Sequence, residues 1–193
     1  MTQGFAQNFL QYLAPSFLSA KGDLLSQDGA NLGRLPVGSN DQKLLADSAE
    51  TLGIKWAGYS GARVYKSGTQ SISNASETTI LFDLEQFDTD SYHSTSSNTG
   101  RLTVSKDGLY IVGYVLELAA NATGVRYSRL FKNGATNLGI DAWPSATTTI
   151  NCYLSLTALD DGVATDYYTC TIWQNSGGAL NIVSAAFWIA RIF

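Results

Sequence analysis

The chain has 193 residues, of which 45% are hydrophobic and only 15% charged, against roughly 25% charged in an average soluble domain. That length suffices for one sandwich-sized core and a smaller appendage. A net charge of −4 without any run of Lys or Arg argues against binding to nucleic acid or an anionic membrane surface, and no stretch nears the ~20 apolar residues of a membrane span.

In chain order, residues 1–20 place Phe5, Phe9, Tyr12 and Leu13 at helical spacing, with Phe17 and Leu18 following Pro15. The spacing predicts a short amphipathic helix. A helix of this length is marginal alone in water and needs a surface, either on its own protein or on a larger structure into which it anchors. The stretch lacks the basic start and continuous apolar run of a secretory signal.

Residues 21–60 have little periodicity. Short apolar pairs alternate with Gly, Asn and Asp, which makes a poor autonomous core and suits a slender segment whose apolar residues meet other chains. The order Lys21-Gly22-Asp23-Leu24-Leu25, Arg34-Leu35-Pro36-Val37-Gly38, Gln42-Lys43-Leu44-Leu45-Ala46-Asp47 and Gly53-Ile54-Lys55-Trp56 resembles a module of bacteriophage tail-fibre and other virion structural proteins. Asp41 stands where that pattern commonly has Gly before the Gln. The resemblance implies an extended stalk, commonly trimeric, between a virion-attached end and a distal domain.

From residue 61 onward the pattern becomes strand after strand. Candidates are Ala62–Tyr65, Thr78–Leu84, Gly100–Val104, Gly108–Leu118, Arg126–Phe131, Thr149–Thr157, Asp166–Trp173 and Leu180–Ile192. Turn signals separate them at Lys106-Asp107-Gly108, Lys132-Asn133-Gly134, Asp160-Asp161-Gly162 and Asn175-Ser176-Gly177-Gly178. This spacing predicts a two-sheet sandwich of jelly-roll type. Cys152 and Cys170 take apolar-phase positions in two of these strands; buried thiols and a disulfide both remain open.

The run Asn98-Thr99-Gly100-Arg101-Leu102-Thr103-Val104 followed by Asp107-Gly108-Leu109-Tyr110-Ile111-Val112, then Leu130-Phe131-Lys132-Asn133-Gly134 and a closing aromatic-apolar strand, is similar to C1q/TNF-like domains. Leu102 replaces the usual aromatic and Asp107 the usual Pro. The resemblance implies an all-β C1q/TNF-like jelly roll of about ten strands that forms a homotrimer.

Two strands support a trimer on their own residues. Leu109 to Leu118 is apolar on both faces, Leu109, Ile111 and Val115 on one, and Tyr110, Val112, Tyr114, Leu116 and Leu118 on the other. A sandwich strand with one wet face would show polar residues at every second position. The last strand repeats the pattern, so one face is expected in the sandwich and the other against a copy of the chain, the alternative being a central strand shielded by loops. Tyr110, Tyr114, Phe187 and Ile189 are the expected trimer-interface residues.

Catalysis finds little support. The single His93 lies in the polar loop 90–98, without a Gly-x-Ser-x-Gly elbow or a partnered nucleophile elsewhere, and is expected to serve surface recognition. Asp83, Glu85, Asp88 and Asp90 lack the spacing and turn glycines of a calcium loop. No metal, cofactor or catalytic residue is expected. Tyr92, His93, Trp143, Tyr167 and Trp173, set in or beside loops with Asn, Asp and Ser, are candidate contacts to a sugar receptor, and equally candidates for covering sandwich ends.

The expected organisation is therefore a virion-anchoring segment over 1–20 (Phe5, Phe9, Tyr12, Leu13), a stalk over 21–60 and a C1q-like head over 61–193. The expected role is a homotrimeric bacteriophage fibre or spike, located on the virion, with capsid or tail proteins and host-surface glycan as partners. The alternative is a capsid decoration or head fibre that only stabilises the particle.

Overall fold

The computed structural model describes residues 17–144 and 148–192. The helix expected around Phe5, Phe9, Tyr12 and Leu13 lies outside the described residues. Packing separates the chain into residues 1–59 and 60–193.

In the N-terminal unit, Asp, Asn and Gly turn chemistry closes two hairpins where the sequence predicts little regular structure. Strands β1 (Leu24–Gln27) and β2 (Leu32–Leu35) pair antiparallel, joined by a turn in which the Asp28 carboxylate accepts the amides of Ala30 at 2.9 Å and Asn31 at 2.7 Å. Strands β3 (Lys43–Ala46) and β4 (Ile54–Ala57) form the second hairpin.

The four motif pieces meet in space. Asp23 of the first accepts the amide of Val37 in the second at 3.0 Å, as well as those of Ser19 at 3.0 Å and Ala20 at 2.8 Å. Trp56 of the fourth donates its indole N–H to the Pro36 carbonyl at 2.8 Å. Gly38 is required where it stands, because a Cβ there would lie 2.7 Å from the Trp56 ring. Leu25, Leu32, Leu44 and Leu45 remain exposed.

Amide donation from Ala20, then from Val37, and the nearby Arg34 guanidinium hold the Asp23 carboxyl below the usual carboxylate range. A lowered carboxylate binds its proton less readily folded than unfolded. Its stabilising contribution is whole above the unfolded value and drains as the pH falls towards the folded one. Protection of the Val37 and Ala20 amides, relative to their intrinsic exchange, is therefore expected to fall below about pH 4, and Asp23→Asn should remove that pH dependence.

The second unit is a sandwich of two antiparallel sheets. Its strands are β5 (Gly61–Tyr65), β6 (Gln70–Ile72), β7 (Thr78–Thr79), β8 (Leu84–Asp88), β9 (Arg101–Thr103), β10 (Gly108–Leu118), β11 (Arg126–Lys132), β12 (Thr136–Trp143), β13 (Cys152–Gly162), β14 (Tyr167–Gln174) and β15 (Leu180–Arg191). One sheet runs β13-β10-β15-β5-β8, with β6 also on β15; the other runs β12-β11-β14-β7, with β9 also on β14. Alternate residues of each strand point inward. Phe82, Tyr110, Val112, Tyr114, Leu116, Ile172 and Phe187 are fully buried between the layers.

Several buried polar groups find partners. The Tyr114 hydroxyl donates to Ser128 Oγ at 2.7 Å, and the Tyr168 hydroxyl to the Asp160 carboxylate at 2.7 Å. Lys132 bridges Asp160 at 2.8 Å and Asp166 at 3.0 Å. Cys152 and Cys170 are both free and buried, and burial pushes the Cys170 thiol up.

Four expectations need correction. The strand expected over Thr78–Leu84 is two, because the chain changes layers there: β7 pairs with β14 and β8 with β5. Between them Ile80 and Phe82 turn into the core, and the Gln70 amide clamps the crossing, donating to the Thr79 carbonyl at 2.8 Å and accepting the Leu81 amide at 2.9 Å. Strand β12 was not expected at all. Asp160-Asp161-Gly162 is no turn: β13 runs on to Gly162, opposite Gly108. Finally, Tyr110, Tyr114, Phe187 and Ile189 are at most 1% exposed. Their faces form the sandwich core, so a neighbouring copy cannot reach them.

Candidate functional site

The second unit offers two surfaces: a polar cleft on the five-stranded sheet and the outward face of the six-stranded one. The cleft starts from an interruption at the edge of β14. Strands β9 and β7 lie end to end along that edge, β9 opposite Tyr167 to Thr169 and β7 opposite Thr171 and Ile172. Between them opens a cleft of about 430 Å³, lined by Thr79, Leu81, Asn98, Thr99, Gly100, Arg101, Tyr167 and Thr169. Gly100 keeps it open at its base, since a Cβ there would lie 2.8 Å from Thr79 and 3.0 Å from the Ile80 carbonyl.

The loop before β9 is fixed by acidic side chains. The Asp88 carboxylate accepts the amides of Tyr92 at 3.0 Å and His93 at 2.8 Å. The His93 ring, with its side chain fully buried, sits between Glu85 Oε1 at 2.9 Å (from Nδ1) and the Thr99 carbonyl at 3.1 Å (from Nε2). Both partners are acceptors, one a carboxylate and the other a backbone carbonyl. Tyr92 is 1% exposed; its hydroxyl meets Ser60 Oγ at 2.6 Å and its ring packs edge-on to Tyr110. Asp83 holds Ser67, and Asp90 faces Lys106 at 3.6 Å. The acidic group thus ties down loops, and among the described residues no cluster could hold a metal.

Beyond this loop lies a second hollow of about 200 Å³, lined by residues that include Ser91, Ser94, Ser97, Asn98, Arg101 and Thr103. Asn98 and Arg101 line both hollows. The Arg101 guanidinium lies over the Tyr167 ring, 5.0 Å from its centroid, which holds its plane and its donors in place.

The five expected receptor contacts therefore divide. Tyr167 is the platform for Arg101. Tyr92 and His93 support the loop beside the cleft, and burial corrects the surface role expected of His93. Trp173 stacks on Tyr127 at 4.8 Å, elsewhere on the sheet, and Trp143 is exposed at the end of the edge strand β12. Arg101 and Asn98 were missed as site residues. The one local signal was a lone Arg closing a Ser/Thr/Asn-rich run.

The second surface is apolar. Outward-facing Tyr65, Leu84, Phe87, Val115, Tyr153 and Leu159 are all exposed, and Ile111 and Trp188 lie among them, Trp188 across Gly113 and Ile111 across Leu159. Within this face Glu117 accepts from Asn151 at 2.7 Å, Tyr153 at 2.9 Å and Ser184 at 2.8 Å. Those three donors, Asn151 foremost, hold its carboxyl low.

Neither family models nor curated proteins match the sequence. Solved structures do match the second unit. The globular domain of zebrafish complement 1qA protein superposes with a TM-score of 0.53 at 16% identity, over 69% of this chain and 98% of that one. Murine APRIL at pH 5.0 gives 0.52 at 9% identity, over 69% and 99%. Eiger TNF from S. frugiperda gives 0.50 at 14% identity, over 70% and 93%. At such identities the likeness shows the fold, and the fold is the C1q/TNF-like jelly roll.

Proposed function

We propose that this chain is a bacteriophage virion protein, a homotrimeric fibre or spike whose residues 1–20 anchor it to capsid or tail, whose hairpin unit acts as the stalk and whose jelly-roll head binds host-surface glycan. It acts by assembly and binding, without catalysis. The observation that carries this reading is the apolar outward face of the six-stranded sheet, centred on Val115, Trp188 and Leu159. Exposed apolar patches of this kind mark interaction surfaces, and cyclic symmetry lets copies of one chain cover each other. The virion assignment rests on the tail-fibre-like motifs over Lys21 to Trp56, whose pieces bind one another in the two hairpins. Exposed leucines along those hairpins suit a stalk in which three chains run together.

Light scattering of the full chain at micromolar concentration is expected to give three times 20.7 kDa; a stable monomer overturns the trimer. Antibody against the chain is expected to decorate fibres or spikes on phage particles, and unlabelled particles overturn the virion role.

A further inference from the structure

We infer that the paired hollows around Arg101 bind a carboxylate-bearing sugar, a hexuronate or sialate unit of a surface polysaccharide. This inference rests on the proposed glycan-binding role of the head and specifies its ligand.

The first argument is an unmet cation. The chain has six arginines, all among the described residues. Arg34 meets Asp23 and Ser19, Arg63 meets Gln86, and Arg129 meets Glu77. Arg126 donates to the carbonyls of Asn121 and Gly124, and Arg191 to that of Asp107. Among the described residues only Arg101 has a guanidinium without a hydrogen-bond acceptor or carboxylate, its one partner being the face of Tyr167. A planar fork that meets only a ring keeps its N–H groups free for a two-point bond to a planar carboxylate.

The second argument is the lining. Around that fork stand the hydroxyls of Thr79, Thr99, Thr169 and Ser97 and the amide of Asn98. These groups both donate and accept, as do the hydroxyls of a sugar. The larger hollow, about 430 Å³, falls in the roughly 300–1,000 Å³ range of small-molecule sites. The smaller one continues it past Asn98 and Arg101, so an adjoining sugar unit has somewhere to lie.

The third argument is charge. One free guanidinium on a chain of net charge −4 favours one carboxylate per site and disfavours dense polyanions, which need several cations. Three such sites on a trimeric head convert weak single contacts into useful avidity.

The test uses the full chain and an immobilised saccharide array with four arms: uronate- and sialate-bearing oligosaccharides, the same compounds with carboxyls reduced to alcohols, phosphodiester-linked saccharides and neutral ones. Binding to the carboxylated arm is expected, with at least a tenfold loss on carboxyl reduction. Arg101→Ala should lose at least tenfold, Arg101→Lys less, and Gly100→Ala should block the cleft while leaving the assembly mass unchanged. The carboxyl-reduced arm uses unaltered protein, so the test survives a variant that fails to fold. Binding to the neutral or phosphodiester arm alone, or binding indifferent to Arg101, overturns this inference and leaves the glycan-binding role standing. No binding on any arm overturns both, leaving the head a structural part.

Discussion

Val115→Glu is expected to convert the proposed trimer to monomers while leaving each jelly roll folded. In a single chain Val115 is 37% exposed, on the outward side of β10 between Ala186 of β15 and Ser155 of β13. A substitution at such a position costs little within the chain, about 0.5 kcal/mol or less. Buried against the mostly apolar face of another copy, the new carboxylate loses its water, and Glu117, the next outward residue on β10, adds like charge. An uncompensated buried charge costs about 3–5 kcal/mol, incurred once per copy. Sedimentation or light scattering should show 20.7 kDa with unchanged circular dichroism. Leu159→Glu, on the neighbouring strand, should act alike. If both variants keep the mass of the parent assembly, this face is not the interface.

Phe187→Ala should do the reverse, lowering stability while leaving the mass unchanged. The ring is fully buried, sits 5.5 Å from that of Phe82 and lies opposite Tyr114 on the adjacent strand. Deleting it removes the transfer energy of the ring and leaves a cavity between two rigid sheets, a loss of about 3–5 kcal/mol. For a chain of this size each kcal/mol moves the melting temperature by about 2–4 °C, so the drop should be about 6–20 °C. A variant that melted as before but lost its assembly would place this ring at the interface after all.

These two substitutions mark where the sequence is legible and where it is not. Alternation in β10 shows that both faces are apolar, and its bounds, Gly108–Leu118, follow from the turn signal and the period. Alternation cannot say which face is inward. The heavier set, Tyr110 and Tyr114 with Phe187 and Ile189, reads as an interface in the sequence, but large rings are what fill the space between two sheets. Strand β12 escaped notice for a related reason. A bulge between Leu130 and Phe131 shifts its register, so Leu138 packs on the core while Ile140 faces water, and Gly139 interrupts the run. Asp160 read as a turn residue because its partners, Tyr168 and Lys132, come from other strands. Arg101 is harder still, since a free guanidinium is defined by partners that do not arrive. The motifs between Lys21 and Trp56 are readable as an ordered set, but their hairpins depend on contacts such as Trp56 to Pro36, twenty residues apart.

The gap between β7 and β9 bears on how the head can diverge. Both strands are short, and each is held by its own register on β14. The loop of residues 89–100 runs from the end of β8 to β9 beside that break, with its root fastened by Asp88 and His93. Insertions near Ser94 to Ser97 would lengthen the rim of the cleft without sliding any strand along its neighbour. Such a fold can change the chemistry of its cleft by changing a few exposed loop residues while its core stays as it is.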